Sequence, residues 1–417
     1  MKTKRLPPVF VGHDIYRQPA YGNNHPLAIP RVERVIDLCR ALGWLQREEF
    51  RPSPRAGAAE LARFHTPEYI AALRQATQEG KVDAQARARF AIGTMENPLF
   101  PGLFERASTC AGGSILAADL CLEGRIAYHP AGGTHHGRAD RASGFCYFND
   151  PALAILRLLD RGIERLLYVD LDAHHGDAVQ DAFAADPQVW TISVHEQGRW
   201  PYTGSAIDTA GGRTCNLPVP SGFNDRELGL LLDDVILPLG GRVAPQAVVL
   251  VCGADALAGD PLSSMALSNV RLWSAARAIV ALAPAAVVLG GGGYNPWTVT
   301  RYWTGLWATL SGRQIPDTLP PAARAVFEGL ECDLIDAEDV SPRWSTTLAD
   351  TPNEAPVRRE IEVLRDEALR RADTGCWSAA RRLMADAAPI AAATLPAAGA
   401  IPAGADAIRE GGRHAVD

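Results

Sequence analysis

The segment YVDLDAHHGD, residues 168–177, places three aspartates and two histidines directly after a run of apolar residues. Aspartate and glycine are ordinary turn residues, so a solvated turn is one interpretation of this segment. A second interpretation starts from the alternation of side chains along an extended strand, which puts Asp170, Asp172 and His174 on one side. The segment then predicts a strand end at which potential metal ligands converge.

Apolar runs recur along the chain and alternate with segments of helical periodicity. They are RIAYHP (125–130), RLLYVDLD (165–172), VWTISVHE (189–196), AVVLVCGAD (247–255) and AAVVLGGGGY (285–294). Such alternation is typical of a largely parallel sheet with helices on both faces. Open parallel sheets bind their ligands beyond the carboxyl ends of the strands, so the polar and glycine-rich ends of these runs are the candidate site.

Composition excludes several classes of protein. The 417 residues carry a formal net charge of -7, and the 41 lysines and arginines are scattered, whereas a nucleic-acid-binding face clusters them. No apolar run approaches the roughly 20 residues that cross a membrane, and the N-terminus lacks a secretory apolar stretch. The eight cysteines form no C-x-x-C pair, which is typical of reduced thiols. We expect a cytoplasmic protein with neither a nucleic-acid nor a membrane partner.

A third metal ligand is available at the end of another apolar run. Asp255 closes the segment VCGAD and can meet Asp172 and His174 across neighbouring strand ends. One histidine and two aspartates suit a divalent ion with open coordination positions, such as a zinc ion that polarises a carbonyl and acidifies water. Structural turns also produce the D-x-D-x-H spacing.

Two other strand ends carry groups that fit hydrolytic chemistry. The adjacent His135 and His136 in GGTHHG can be a catalytic pair or one buried ring with an exposed neighbour. Asp170 and Asp177 are spare carboxylates that can each orient one imidazole. Four glycines precede Tyr294, which leaves the backbone free to turn its phenol toward an oxyanion, although a tight turn also explains them.

Five motifs in order carry a resemblance to a known family. They are AGGTHHG (131–137), GFCYFND (144–150), YVDLDAHHGD, VCGADALAGDPL (251–262) and GGGGYN (290–295). Together they resemble the histone-deacetylase-like family of zinc amidohydrolases. The segment GNNHPLAIPRV (22–32) is similar to its bacterial acetoin-utilisation deacetylase branch. The resemblance implies an α/β, three-layer arginase/deacetylase fold with a largely parallel central sheet and helices on both faces.

The resemblance also implies the domain organisation. It covers a motif core from about 10 to 310 and extends through C-terminal helices to about 370, so we expect a deacetylase domain over residues 1–372. Residues 373–417 are rich in alanine, proline and glycine, and we expect them to form a disordered tail.

Roles for the strand-end residues follow from the same resemblance. The implied metal ligands are Asp172, His174 and Asp255, which would hold zinc, with iron as the alternative. The implied catalytic groups are His135, His136 as the general base, Asp170 and Asp177 behind these two rings, and Tyr294 as the oxyanion donor. The resemblance further implies a structural potassium site formed by Asp170, Asp172, His174 and Ser193.

Four more positions match the substrate path of the family. Phe145 and Trp200 match opposite aromatic walls of a tunnel for an acyl-lysine side chain, and Glu96 matches a rim carboxylate that binds substrate backbone amides. Polyamine-selective relatives are expected to have a carboxylate where this chain has Leu262. Arg31 matches an interior arginine of a product channel, with a surface arginine at a helix start as the alternative.

These assignments predict a metal-dependent hydrolase that removes acetyl or other acyl groups from lysine side chains of proteins, using water activated by the ion. Deacetylation of small acetylated amines such as acetylpolyamines is the alternative, and an inactive acyl-lysine-binding protein is a remote one. An arginase-like centre with two metals would need further carboxylates where this chain has Gly176 and Leu257. The sequence leaves a homo-oligomer open.

Overall fold

The computed structural model describes residues 5–22, 24–374 and 377. Its centre is one sheet of eight strands. The strands are β1 Val9–Gly12, β2 Phe50–Pro52, β3 Ile126–His129, β4 Leu166–Asp170, β5 Val189–Glu196, β6 Thr214–Val219, β7 Ala247–Val251 and β8 Ala285–Leu289. The order across the sheet is β2-β1-β3-β8-β7-β4-β5-β6, and every neighbouring pair is parallel.

Thirteen α-helices lie within the described ranges. They are α1 Val32–Ala41, α2 Ala58–Leu61, α3 Pro67–Glu79, α4 Ala84–Phe90, α5 Leu103–Cys121, α6 Asp150–Asp160, α7 Asp177–Phe183, α8 Asp225–Leu231, α9 Leu237–Val243, α10 Asn269–Val280, α11 Pro296–Ser311, α12 Pro321–Arg324 and α13 Arg359–Thr374. A π-helical segment, Leu232–Ile236, joins α8 to α9.

Both faces of the sheet are buried, because successive side chains of each strand point into different cores. In β4, Leu167 and Val169 pack in a core with residues of α1, α10 and α11. The alternate residues Leu166 and Tyr168 pack with residues of α5, α6 and α7 on the opposite face. This arrangement explains the apolar character of both alternating positions. The predicted three-layer α/β fold is confirmed.

The sheet order determines where the chemistry lies. The strands β3, β8, β7 and β4 are consecutive neighbours, so the loops that follow them leave the same edge of the sheet side by side. These four loops contain the GGTHHG, GGGGYN, VCGAD and DLDAHHGD segments. A crevice at this edge is the usual ligand site of open parallel sheets.

The C-terminal part of the domain covers the β6 side of the sheet. Helix α13 contacts β6 and ends at Thr374, two residues beyond the predicted domain boundary, and Trp377 is buried. The rest of the predicted tail lies outside the described residues. Within the described ranges, none of the helices combines the length and apolar character needed to cross a membrane.

Candidate active site

The charged segment after β4 is built from two successive aspartate-centred turns. The strand ends at Asp170, whose Oδ1 accepts a hydrogen bond from Asp172 N at 3.1 Å. Asp172 Oδ1 in turn accepts from His174 N at 3.0 Å. The expectation that strand alternation aligns these side chains is therefore wrong, because the chain has left the strand before Asp172. Aspartate side chains that bond backbone two residues on produce the same convergence.

Asp172, His174 and Asp255 converge into one buried cluster. Each contributes one ligand atom, and these atoms lie within 4.8 Å of one another. The second carboxylate oxygens are anchored by the backbone, since Ala173 N donates to Asp255 Oδ1 at 3.0 Å and Gly292 N donates to Asp172 Oδ2 at 2.6 Å. The loops that follow β4, β7 and β8 thus hold this triad of residues in place as a candidate metal site.

The electrostatics of the triad favour a bound cation. His174 Nδ1 lies 3.2 Å from Asp172 Oδ1 and 3.0 Å from Asp255 Oδ2. Burial lowers the pKa of His174, but the two carboxylates outweigh it and raise that pKa to about 10. A protonated His174 offsets only one of the two buried carboxylate charges, whereas one divalent ion on the three ligand atoms would displace that proton and neutralise both carboxylates. The donor set therefore fits zinc.

The histidine pair lies beside the triad, with each ring held by its own aspartate. His135 Nδ1 is 2.7 Å from Asp170 Oδ2, and His136 Nδ1 is 2.9 Å from Asp177 Oδ1. The two ring centroids are 4.0 Å apart, and the His136 ring is 6.1 Å from that of His174. Each Nδ1 is engaged by a carboxylate, so each Nε2 remains available to a substrate or a water molecule.

The two rings have opposite preferences for a proton. Burial lowers the pKa of His135, but Asp170 and Asp172 raise it, to about 9 overall. The pKa of His136 is lowered to about 3 by burial and by the charge on His135, in spite of Asp177. The surroundings of the pair therefore favour a proton on His135 over one on His136.

The loop that carries the histidine pair is anchored by a buried carboxylate that sequence reasoning did not assign. Asp150, the first residue of α6, accepts hydrogen bonds from Gly133 N and Thr134 N at 3.0 and 2.7 Å. It also accepts from Ser114 Oγ at 2.5 Å, and that hydroxyl contacts His129 Nδ1 at 3.0 Å. Asp150 closes the motif GFCYFND, so the motif held a signal for it.

Tyr294 lines the same cavity as the histidine pair. Its ring centroid lies 5.9 Å from that of Phe145 and 6.5 Å from that of His174. Burial raises the pKa of the phenol well above its ordinary value, so the hydroxyl stays protonated and able to donate. Among the described residues, none hydrogen-bonds this hydroxyl. The hydroxyl is therefore available to a ligand in the site.

The glycines before Tyr294 are required by close packing as well as by conformation. Gly291 and Gly293 have φ values of 143° and 137°, which side chains rarely adopt. A Cβ on Gly292 would collide with the carboxylate of Asp255. Only glycine at these positions lets the loop approach the triad this closely. After the loop, Asn295 caps α11 by accepting hydrogen bonds from Trp297 N and Thr298 N.

A cleft of about 580 Å³ leads from the surface to the triad. All four residues predicted along the substrate path line it: Glu96, Phe145, Trp200 and Leu262. The Trp200 ring lies 4.6 Å from the His136 ring. Glu96 Oε1 accepts from Gly144 N at 2.7 Å, and Asn97 Oδ1 accepts from Phe145 N at 3.0 Å. Glu96 thus supports the backbone next to Phe145, which has a φ of 66°.

An inner cavity of about 120 Å³ lies behind the site. Arg31 lines it, donates to the carbonyl oxygen of Gly291 and stacks its guanidinium 4.8 Å above the Trp303 ring. Arg31 is half-buried directly before α1, so it stands at a helix start as the alternative expected, while its side chain faces the cavity. For the predicted potassium site, the β4–β5 register pairs Asp170 with Ser193, whose Oγ contacts His195 Nδ1 at 2.9 Å.

Comparison with known proteins identifies the family. The model described as "Histone deacetylase domain" matches residues 25–310. Histone deacetylase 8 of Xenopus tropicalis is 34% identical over 298 residues, 70% of this chain and 80% of the relative. The crystal structure of an HDAC homologue from Aquifex aeolicus has a TM-score of 0.83 and 35% identity, covering 87% of this chain and 100% of that chain. An HDAC homologue complexed with SAHA has a TM-score of 0.83 and 34% identity, with the same coverage.

The family match extends over most of the chain and contains every motif that forms the triad, the histidine pair and the tyrosine loop. The solved homologue from Aquifex aeolicus aligns over its whole length, so the shared fold brings the corresponding strand ends to one site. The chain therefore belongs to the histone deacetylase family and is a zinc-dependent deacetylase, a hydrolase of linear amide C–N bonds.

Proposed function

We propose that this enzyme removes acetyl groups from the side-chain nitrogen of lysine residues in proteins. The observation that carries the proposal is the aromatic-lined cleft, in which Phe145 and Trp200 flank the approach to the triad and Leu262 is a neutral side chain at the rim. An acetyl-lysine side chain is a long apolar stem that ends in an amide, and it suits such a path. A solved homologue is complexed with SAHA, which supports ligand binding by this fold.

Asp172, His174 and Asp255 would hold the ion. When bound, zinc polarises the substrate carbonyl and acidifies water. The chain's own contribution to the oxyanion is Tyr294, whose protonated hydroxyl is unengaged by any described side chain or backbone group and is available as a donor. A hydrogen-bond donor that is already in position when the oxyanion forms stabilises the transition state more in a buried site than it would in water.

His136 is the proposed general base. Its Nδ1 donates to Asp177, so its Nε2 lone pair can take a proton from the attacking water. Burial and the adjacent His135 lower the pKa of this ring, so the lone pair is not occupied by a proton before the water attacks. A protonated histidine of the pair then delivers a proton to the departing lysine amine. The products are acetate and a free amine.

The substrate alternative is a small acetylated amine such as an acetylpolyamine. Such a substrate carries a second ammonium group, and a carboxylate at position 262 would attract it. Leu262 offers no charge there, which favours acetyl-lysine in a protein.

One comparison tests the proposal. The purified enzyme would be assayed with an acetyl-lysine peptide, acetylated polyamines and peptides with longer acyl chains, and the values of kcat/KM compared. We expect the acetyl-lysine peptide to be preferred, and His136→Ala to abolish turnover. A higher kcat/KM for an acetylpolyamine than for the peptide would show that the substrate is a small acetylated amine. If the wild type binds the peptide without hydrolysing it, the protein is an inactive acyl-lysine-binding protein.

Several finer assignments are proposals as well. They comprise membership of the acetoin-utilisation branch, iron as an alternative metal, a cytoplasmic location and a homo-oligomer. Potassium is proposed near Asp170 and Ser193, which are partners in the β4–β5 register and both carry side-chain oxygens, the atoms that hard cations bind. Elemental analysis of the dialysed protein would test both metals, because one potassium equivalent should remain with the zinc or iron.

A further inference from the structure

Leu262 is held by hydrogen bonds on both sides of its backbone. Its N–H donates to Asp260 Oδ1 at 2.9 Å, and its carbonyl accepts from Arg199 Nη1 at 2.8 Å. Asp260 is buried, and the Arg199 side chain is 28% exposed at the wall of the cleft. Neither residue has a role in the proposed hydrolysis, yet both hold a residue that lines the substrate path.

Each of these two anchors also reaches a second part of the site. Asp260 Oδ2 accepts from Tyr294 N at 2.7 Å, so one carboxylate bridges the rim loop and the oxyanion tyrosine. Arg199 precedes Trp200 and pairs with Glu196, with Nη2 2.9 Å from Oε1. Glu196 Oε2 accepts from Ser264 N at 2.8 Å, which gives the rim loop a further attachment.

We propose that Arg199 and Asp260 are positioning residues, which hold Leu262 between the Trp200 wall and Tyr294 and so set the width of the tunnel mouth and the place of the oxyanion donor. The hydrogen-bonded sequence Arg199, Leu262, Asp260, Tyr294 is continuous from the wall to the catalytic tyrosine. The proposal rests on deacetylation at this site, since it concerns how the substrate and Tyr294 are held there.

The two anchors act on different groups, so their loss should have different kinetic signatures. Arg199 fixes the mouth, which contacts the substrate stem equally before and during the reaction. Its loss should raise KM and leave kcat nearly unchanged. Asp260 fixes the backbone of a residue that acts on the developing charge, so its loss should lower kcat.

The experiment compares Arg199→Met, Arg199→Lys and Asp260→Asn with the wild type on the acetyl-lysine peptide. The matched control is Arg359→Met, which removes another arginine paired with a glutamate three residues away, but on an exposed part of α13. We expect Arg199→Met to raise KM on the order of tenfold, Arg199→Lys to recover part of that loss, and Arg359→Met to behave as the wild type. Asp260→Asn keeps the shape of the side chain, but its amide NH₂ group faces one of the two backbone N–H groups that the carboxylate accepts from, so one hydrogen bond is lost. We expect this variant to lower kcat on the order of tenfold with a smaller change in KM.

Two results would overturn the proposal: equal KM for Arg199→Met and Arg359→Met, or a loss in Asp260→Asn that appears in KM alone. If Asp260→Asn does not fold, the Arg199 variants decide, because an unchanged KM in Arg199→Met is sufficient to reject the arrangement. Failure of the proposed function is a distinct outcome, since the wild type itself would then not hydrolyse the peptide.

Discussion

Replacing Tyr294 by phenylalanine separates a catalytic hydroxyl from a structural one. The substitution removes only the oxygen and leaves the ring against Phe145 and His174. Within the described residues the hydroxyl has no hydrogen-bond partner, so no internal bond is lost. The substitution leaves the three proposed metal ligands unchanged. We therefore expect metal content to be unchanged and the melting temperature to move by less than about 2 °C.

The kinetic effect should be large. Removal of one preorganised oxyanion donor typically lowers kcat by about 10²–10³, equivalent to roughly 2.7–4 kcal/mol of transition-state stabilisation. The charge it stabilises exists only during attack, so the substrate Kd should change far less than kcat. The assay measures kcat, substrate Kd, melting temperature and bound zinc on a single preparation of Tyr294→Phe.

Tyr128→Phe is the matched control. Tyr128 is a buried tyrosine of β3 whose hydroxyl donates to the carbonyl of Trp303 at 3.0 Å, away from the site. Loss of that bond should destabilise the fold by about 0.5–1.5 kcal/mol with nearly normal turnover. Tyr294→Phe should therefore lose turnover and keep its stability, whereas Tyr128→Phe should lose stability and keep its turnover. A kcat close to that of the wild type in Tyr294→Phe would remove this residue from the mechanism.

Three other perturbations test separate parts of the site. Asp255→Ala should abolish both zinc retention and turnover, measured by elemental analysis and peptide assay; full activity after chelation, or two manganese ions per chain, would refute a single-ion centre. Leu262→Glu should shift the kcat/KM ratio toward acetylated diamines by a modest factor, because an exposed ion pair contributes about 0.2–1 kcal/mol; a wild type that already prefers acetylpolyamines would contradict the argument. His65 is buried, its Nε2 accepts from Asn149 N at 2.9 Å, and burial lowers its pKa to about 4. In the unfolded chain His65 binds a proton near pH 6.5, so the free energy of unfolding should fall as the pH drops from 6.5 toward 4, by about 2 kcal/mol at pH 5 from this residue. His65→Gln should make the free energy of unfolding less dependent on pH in this range. The same pH dependence in this variant and in the wild type would refute the assignment.

The central strands of the sheet were predictable from the sequence, whereas its periphery was not. Five apolar runs correspond to β3, β4, β5, β7 and β8, which are buried on both faces. The outermost strands, β2 and β6, contain Pro52 and Pro218, and prolines are tolerated at edges where one side of the backbone needs no partner. β1 has only four residues. Short or proline-containing strands leave a weak apolar pattern.

The convergence of the candidate ligands and the histidine pair could be predicted because each of these residues follows a strand closely in the sequence. The residues that hold the rim could not be predicted, because their partners are distant along the chain. Arg199 and Leu262 are 63 residues apart, and Glu96 and Gly144 are 48 apart. No local spacing signals such pairs. They form only because parallel strands bring separate loops to one edge of the sheet.

The charge concentrated in residues 168–177 is tolerated in the interior because each aspartate has different partners. Asp170 accepts from Tyr168 Oη at 2.5 Å and contacts His135, while its other oxygen holds Asp172 N. Asp177 forms an ion pair with Arg138 and a hydrogen bond with His136. It is also the first residue of α7, and a negative charge at the N-terminus of a helix is favourable. Asp172 accepts from the backbone of His174 and Gly292, and it is the aspartate of this segment that we propose as a metal ligand. An unpaired carboxylate at any of these places would be strongly unfavourable, so the same contacts that stabilise the fold also orient the two rings and the metal ligand.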